Sequence, residues 1–172
     1  MQVTSLRPSL IKRLAVVALC AFAAGCSTYS EEDKESFDGK IGRYIAEKNW
    51  KLEKSSSGLY VQVLNDGDGD EPIISGSEVT LDYKGTLLNG TVFDQTPPGK
   101  PLKSELKGLI MGFREGLLGH TKGAKVRMIV PPQLGYGDMS LPKIPANSVL
   151  VGRNRFRSLF LQLPADTETE RV

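Results

Sequence analysis

The chain has 172 residues, with 22 Lys and Arg against 20 Asp and Glu, one histidine and two cysteines. Three of its basic residues, Arg7, Lys12 and Arg13, precede an apolar run, so the rest is close to neutral and slightly acidic, which argues against nucleic acid as a partner. Both cysteines, Cys20 and Cys26, lie near the start, so the fold must rest on a packed core rather than on disulfides.

The apolar run extends from Leu14 to Ala24 and ends in Ala23-Ala24-Gly25-Cys26. It is well short of the roughly 20 residues that a spanning helix needs. A basic head, a short apolar segment and small residues read as an export signal over residues 1–25. The small-small-Gly-Cys ending resembles a bacterial lipobox, which implies lipid on Cys26 and an anchor in the cell envelope. Ala23 stands where leucine is commoner in such boxes. The plainer alternative is a secretory signal cut nearby.

Residues 26–57 read as a tether and a short helix. Ser27 to Ser36 is polar, with Glu31-Glu32-Asp33 in a row, and reads as a solvated tether rather than as a sorting signal. Phe37, Ile41, Tyr44 and Ile45 recur at helical spacing, with Trp50 just beyond. That stripe is expected to pack on the main domain; a dimer made through so short a helix would be small. Lys54 to Gly58 marks a break.

The main domain is expected over 58–164, with a polar tail at 165–172. Leu59 to Leu64 is rich in strand formers, and the glycine-rich acidic loop Asn65–Asp70 reads as a turn. It lacks the glutamate and the helix pair of a calcium loop. Val79, Leu81 and Tyr83 alternate with Thr80, Asp82 and Lys84, the period of a half-buried strand. Asn89-Gly90 suggests a two-residue hairpin turn with positive φ at both central positions. Phe93 and Asp94 then return beside Tyr83, forming an aromatic pocket with a carboxylate at its edge. Such a pocket suits a small apolar group such as proline.

Leu109 to Leu117 reads as a short apolar helix, and Lys125 to Val130 as a strand with Val126, Met128 and Val130 on one face. Pro131-Pro132 stops that strand, Gln133 to Asn147 is a loop carrying Tyr136, and a last long strand starts at Ser148. Many strands with one helix predict an α+β fold with an antiparallel sheet. His120 reads as a loop residue, and Glu115 as a solvated or capping residue. There is no nucleophile–histidine arrangement and no phosphate loop.

The segments Tyr83-Lys84-Gly85, Gly90 to Asp94, Leu109 to Leu117, Ile129 to Gly137 and Ile144 to Ser148 occur in this order and at these spacings from about Gly58 to Leu163. Together they resemble the FKBP family, the macrolide-binding peptidyl-prolyl isomerases. The resemblance implies a twisted antiparallel sheet wrapped around one short helix. It also implies isomerase activity without cofactor or metal, proline-containing unfolded polypeptides as substrates, and macrolide inhibitors as ligands. It makes Tyr83, Phe93, Leu102, Leu109, Ile110, Phe113 and Ile144 the wall of a proline pocket. Phe113 stands where tryptophan usually forms the floor. Asp94 matches the carboxylate at the pocket edge, and Tyr136 the hydroxyl that bonds a substrate carbonyl.

The last strand departs from the pattern. Gly152 stands where the family has a phenylalanine wall, and an insertion or bulge could restore an aromatic from Phe156 or Phe160. Lys143 replaces a commonly apolar residue. Arg153, Arg155 and Arg157 share a face, read as solvated rather than as an anionic contact site. These departures leave open a weakly active or inactive domain acting as a chaperone or as part of an envelope complex.

Overall fold

Alternating strands build most of the structure. The computed structural model of the chain describes residues 29–161. The chain divides into two compact units, Met1–Ser30 and Glu31–Val172, and every element below belongs to the second. The export signal, Cys26 and the polar tail lie outside the described residues.

Helix α1 (Glu31–Lys48) is followed by strands β1 (Glu53–Lys54), β2 (Tyr60–Asn65), β3 (Ser77–Leu87), β4 (Val92–Gln95) and β5 (Leu102–Glu105). Helix α2 (Met111–Leu117) leads to β6 (Lys125–Val130) and β7 (Leu150–Leu161), and 3-10 turns occupy Leu106–Gly108 and Pro132–Leu134. The strands form one antiparallel sheet in the order β1-β2-β6-β7-β3-β4, with β5 on the same edge of β3 as β4. This is the α+β arrangement expected from the sequence.

The inner face of the sheet carries Leu81, Tyr83 and Gly85 on β3, Val126, Met128 and Val130 on β6, and Gly152, Asn154 and Phe156 on β7. Helix α2 lies on that face and buries Phe113 and Leu117. Two glycines let it come close. A Cβ on Gly112 would stand 2.5 Å from Val130 Cγ1, and one on Gly116 would stand 2.8 Å from Met128 Cε. Burying one such large apolar side chain contributes about 1.5–3 kcal/mol.

Helix α1 covers part of the outer face. Phe37 and Ile41 are buried, Asp38 accepts from the Tyr60 hydroxyl at 3.0 Å and pairs with Lys54, and the Arg127 guanidinium lies 3.9 Å from the Trp50 ring centroid. The helix thus packs on its own domain. It also begins earlier than expected. Glu31, Glu32 and Asp33 form its first turn, where carboxylates offset the partial positive charge of a helix N-terminus.

Two local readings need correction, and the position of a bulge left open by the sequence is decided. The hairpin between β3 and β4 has a three-residue loop, Leu88–Gly90: Gly90 N–H bonds Leu87 O at 2.9 Å, Leu87 N–H bonds Thr91 O at 2.9 Å, and only Gly90 has positive φ (87°). A helical-type turn closed by one left-handed glycine gives the strands their twist as well as a two-residue turn does. Helix α2 starts at Met111, because Ile110 before it is extended at φ −59°, ψ 152°. The bulge in β7 follows Phe156: Leu81 pairs with Phe156 and Thr80 with Ser158, leaving Arg157 extra.

Candidate active site

Tyr83 sits mid-strand on β3 with its side chain on the inner face. Its ring meets that of Phe113 edge to face, with centroids 6.4 Å apart and planes at 80°, the geometry that sets a positive ring edge against a negative face. Phe113 is 7 % exposed and forms a floor against the core. Phe93 arrives from β4, and Gly85 makes room for it. A Cβ there would stand 2.7 Å from Phe93 Cε2, so only glycine lets the ring lie across β3.

Extended backbone at Leu109 and Ile110 carries the chain into α2 beside these rings. As the N-cap of α2, Ile110 has an N–H that belongs to no helical hydrogen bond. Leu102 enters from β5, opposite Leu81. Tyr136 and Ile144 come from the loop between β6 and β7, which is braced by the Asn147 N–H to Gly137 O bond of 2.9 Å and by the Leu141–Ile144 bridge.

Eight side chains expected in the pocket belong to one hydrophobic cluster. Phe113 and Ile144 are buried in it, and Tyr83, Phe93, Leu102, Leu109, Ile110 and Tyr136 are partly buried against it. Asp94 stands outside this cluster. It is exposed at the rim, so water lowers the cost of its charge. Two donors orient it: the Tyr83 hydroxyl to Oδ2, and the Gln95 N–H to Oδ1 at 2.9 Å.

Burial first, then the bond to Asp94, push the Tyr83 phenol well above the usual tyrosine range, and Tyr136 acts in the same direction. Tyr83 therefore stays a donor at any physiological pH.

The last strand does not restore the missing aromatic through Phe156. That ring is 1 % exposed, opposite Leu81, roughly 13 Å along β7 from Gly152. Phe113 leans over Gly152 instead: a Cβ there would stand 3.0 Å from Phe113 Cε1 and 3.1 Å from Met128 Cγ. Lys143 is exposed and takes no part in the cluster. The contributions of Gly85 and Gly152 escaped the sequence reading. The usable signal was a glycine at an inner-face position of an alternating strand.

An aromatic cluster on an antiparallel sheet, floored by a short helix and rimmed by an oriented carboxylate, defines a domain of the FKBP type. The family model for FKBP-type peptidyl-prolyl cis-trans isomerase matches residues 69–151. FkpA of Escherichia coli (strain K12), an FKBP-type peptidyl-prolyl cis-trans isomerase, is 39% identical over 130 residues, covering 73% of this chain and 48% of that protein. FK506-binding protein 4 of Mycosarcoma maydis is 36% identical over 156 residues, covering 81% of this chain and 41% of that protein. The crystal structure of FkpA from Escherichia coli superposes with a TM-score of 0.64 at 31% identity, covering 91% of this chain and 74% of that one. This chain belongs to the FKBP-type peptidyl-prolyl cis-trans isomerase family. It spans about half the length of the curated relatives it matches.

Proposed function

We propose that this protein is a peptidyl-prolyl cis-trans isomerase that assists the folding of exported polypeptides. The observation that carries the reading is the convergence of Tyr83, Phe93, Ile110, Phe113 and Tyr136 on one half-buried cluster with Asp94 at its rim. Names of curated relatives, FkpA among them, support it.

The chemistry needs only a pocket. Resonance gives an X–Pro bond a rotation barrier of roughly 18–20 kcal/mol. At the twisted transition state that resonance is lost, and the carbonyl is less polar than in the planar amide. A dry aromatic pocket favours the twisted form relative to water. Phe93, Phe113 and Ile110 seat the prolyl ring, while Asp94 and Tyr136 hold the flanking groups in a bent shape. Each tenfold acceleration takes about 1.4 kcal/mol from the barrier.

The N-terminal sequence supports export and a lipid anchor on Cys26, hence a place in the cell envelope. Among the described residues no helix is long and apolar enough to cross a membrane. Mass spectrometry of the N-terminal peptide from envelope fractions tests the anchor. An unmodified Cys26 would remove it.

The test of the activity is cis-to-trans exchange of short Xaa-Pro peptides by the chain from Ser27, beside Asp94→Ala and Tyr136→Phe. Acceleration that falls in both variants is the expected result, and inhibition by a macrolide would extend it to ligand binding. A folded sample without acceleration would favour the second reading, a weakly active or inactive domain acting as a chaperone or envelope-complex component. Gly152, a glycine at a pocket position, is the feature that favours that alternative.

A further inference from the structure

The sheet face turned away from the pocket carries two rows of charge. Lys84, Arg153 and Arg127 lie side by side across β3, β7 and β6, and Asp82, Arg155 and Lys125 form the next row. Arg157, the extra residue of the bulge, pairs with Asp82. Arg127 is engaged by Trp50 and donates to Gln62 Oε1 at 2.8 Å. Lys84, Lys125, Arg153 and Arg155 are exposed, and Asp82, the one carboxylate in these rows, is already matched.

This is not the pattern of a face that only needs to stay wet. Such a face intersperses both signs. Here Lys84 opposes Arg153 and Lys125 opposes Arg155, and like charges at opposed sheet positions are destabilising. The four cations border a cleft of about 490 Å³, walled on one side by Pro97, Pro98 and Gly99. That volume is within the range of small-ligand sites, roughly 300–1,000 Å³.

We propose that this cleft binds a phosphate-bearing ligand, gripped by Arg153 and Arg155 and neutralised further by Lys84 and Lys125. A guanidinium fork matches phosphate oxygens bidentately. A phosphate monoester brings nearly two charges and three acceptors to four uncompensated cations, whereas a carboxylate brings one charge. The four cations lie on the opposite face of the sheet from the proline pocket, and although Tyr83 and Asn154 also line the cleft, replacing the cations leaves every pocket side chain in place.

The test uses the full chain in a nonionic detergent, following the backbone amide NMR signals of Gln95, Thr96 and Gly99, which line the cleft and are present in every variant. The probes are inorganic phosphate, pyrophosphate, acetate, and monomeric short-chain phosphatidylglycerol and phosphatidylcholine. Saturable shifts with the phosphate probes are expected. Binding should be roughly tenfold weaker or worse in the double variant Arg153→Gln, Arg155→Gln, about what one lost charged hydrogen bond costs. The pair Lys84→Gln, Lys125→Gln should weaken it as well, and Arg114→Gln should not. X–Pro exchange should be unchanged in all of these. Tighter binding of phosphatidylglycerol than of either inorganic probe assigns a lipid headgroup. Binding of the inorganic probes alone assigns a soluble phosphorylated ligand. Shifts that never saturate, that persist in the double variant, or that acetate produces equally well would overturn the proposal.

Discussion

Gly85 and Gly152 stand directly opposite each other on β3 and β7, and each lies beneath an aromatic ring of the pocket, Phe93 over Gly85 and Phe113 over Gly152. Opposed residues of an antiparallel pair project to the same face. Two adjacent missing side chains therefore create the recess in which the two rings approach the sheet. A cross-strand pair of larger residues would lift both rings outward.

The two glycines differ in how much they tolerate. At Gly85 an added Cβ would stand 2.7 Å from Phe93 Cε2, so the ring must leave. Gly85→Ala is expected to lower kcat/KM for X–Pro exchange roughly tenfold or more, the loss of about 1.4 kcal/mol of transition-state stabilisation. At Gly152 the nearest atoms stand at 3.0–3.1 Å and need move only a few tenths of an ångström, so Gly152→Ala should keep most of the activity. Stopped-flow exchange assays on both variants check this. Equal rates for the two would refute the assignment of Phe93 to the pocket.

Helix α2 rests on Val130 through Gly112, and two effects compete there. Alanine gains up to about 1 kcal/mol over glycine in helix propensity. Overpacking a tight contact costs about 1–3 kcal/mol. A Cβ 2.5 Å from Cγ1 of a β-branched, stiff side chain should tip the balance to the second. Gly112→Ala should lower the urea midpoint with an unchanged m-value. A raised midpoint would show that α2 slides freely on β6.

Asn154 is 1 % exposed on the inner face, opposite Tyr83 and Val126, and its amide has no protein hydrogen-bond partner. A buried polar group without a partner costs about 1–3 kcal/mol. Leucine has a similar volume and no such cost. Asn154→Leu is therefore expected to stabilise the domain by about 1 kcal/mol in denaturant unfolding. Destabilisation instead would mean that the amide does work that an apolar group cannot replace.

Two groups give the fold a readable pH dependence. Burial lowers the His120 pKa below its usual 6.5, opposed in part by Asp66. The unfolded chain then takes up a proton that the native state resists, so stability falls as pH drops below 6.5. Because His120 is the only histidine, its imidazole NMR signal reports the midpoint directly. Burial and the bond to Asp38 raise Tyr60 from 10.0 to about 12. Its contribution is complete below pH 10 and is lost between 10 and about 12. Tyr60→Phe should flatten the alkaline limb, and His120→Gln the limb below 6.5. An unchanged limb in either variant would remove that residue from the account.

Strand alternation and motif order were legible without coordinates, since both are local. That Val126, Met128 and Val130 share the inner face followed from their period, and the candidate pocket residues were proposed from the family resemblance. The three-residue hairpin loop was not legible, because Asn-Gly serves either turn and the strand register around it decides. Nor was the helical start of the acidic segment, because polar residues become helical when the next turns dock, as Phe37 and Ile41 do.

The sequence by itself determined the faces of the strands and the family. Those properties depend on side-chain chemistry and a two-residue period. Only the tertiary structure decided that Gly85 meets Gly152, that the bulge leaves Phe156 in the core, and that Lys84, Arg153 and Lys125, Arg155 form opposed pairs. Register between strands distant in the chain is set by how the whole inner face packs, and no local pattern in β3, β6 or β7 encodes it.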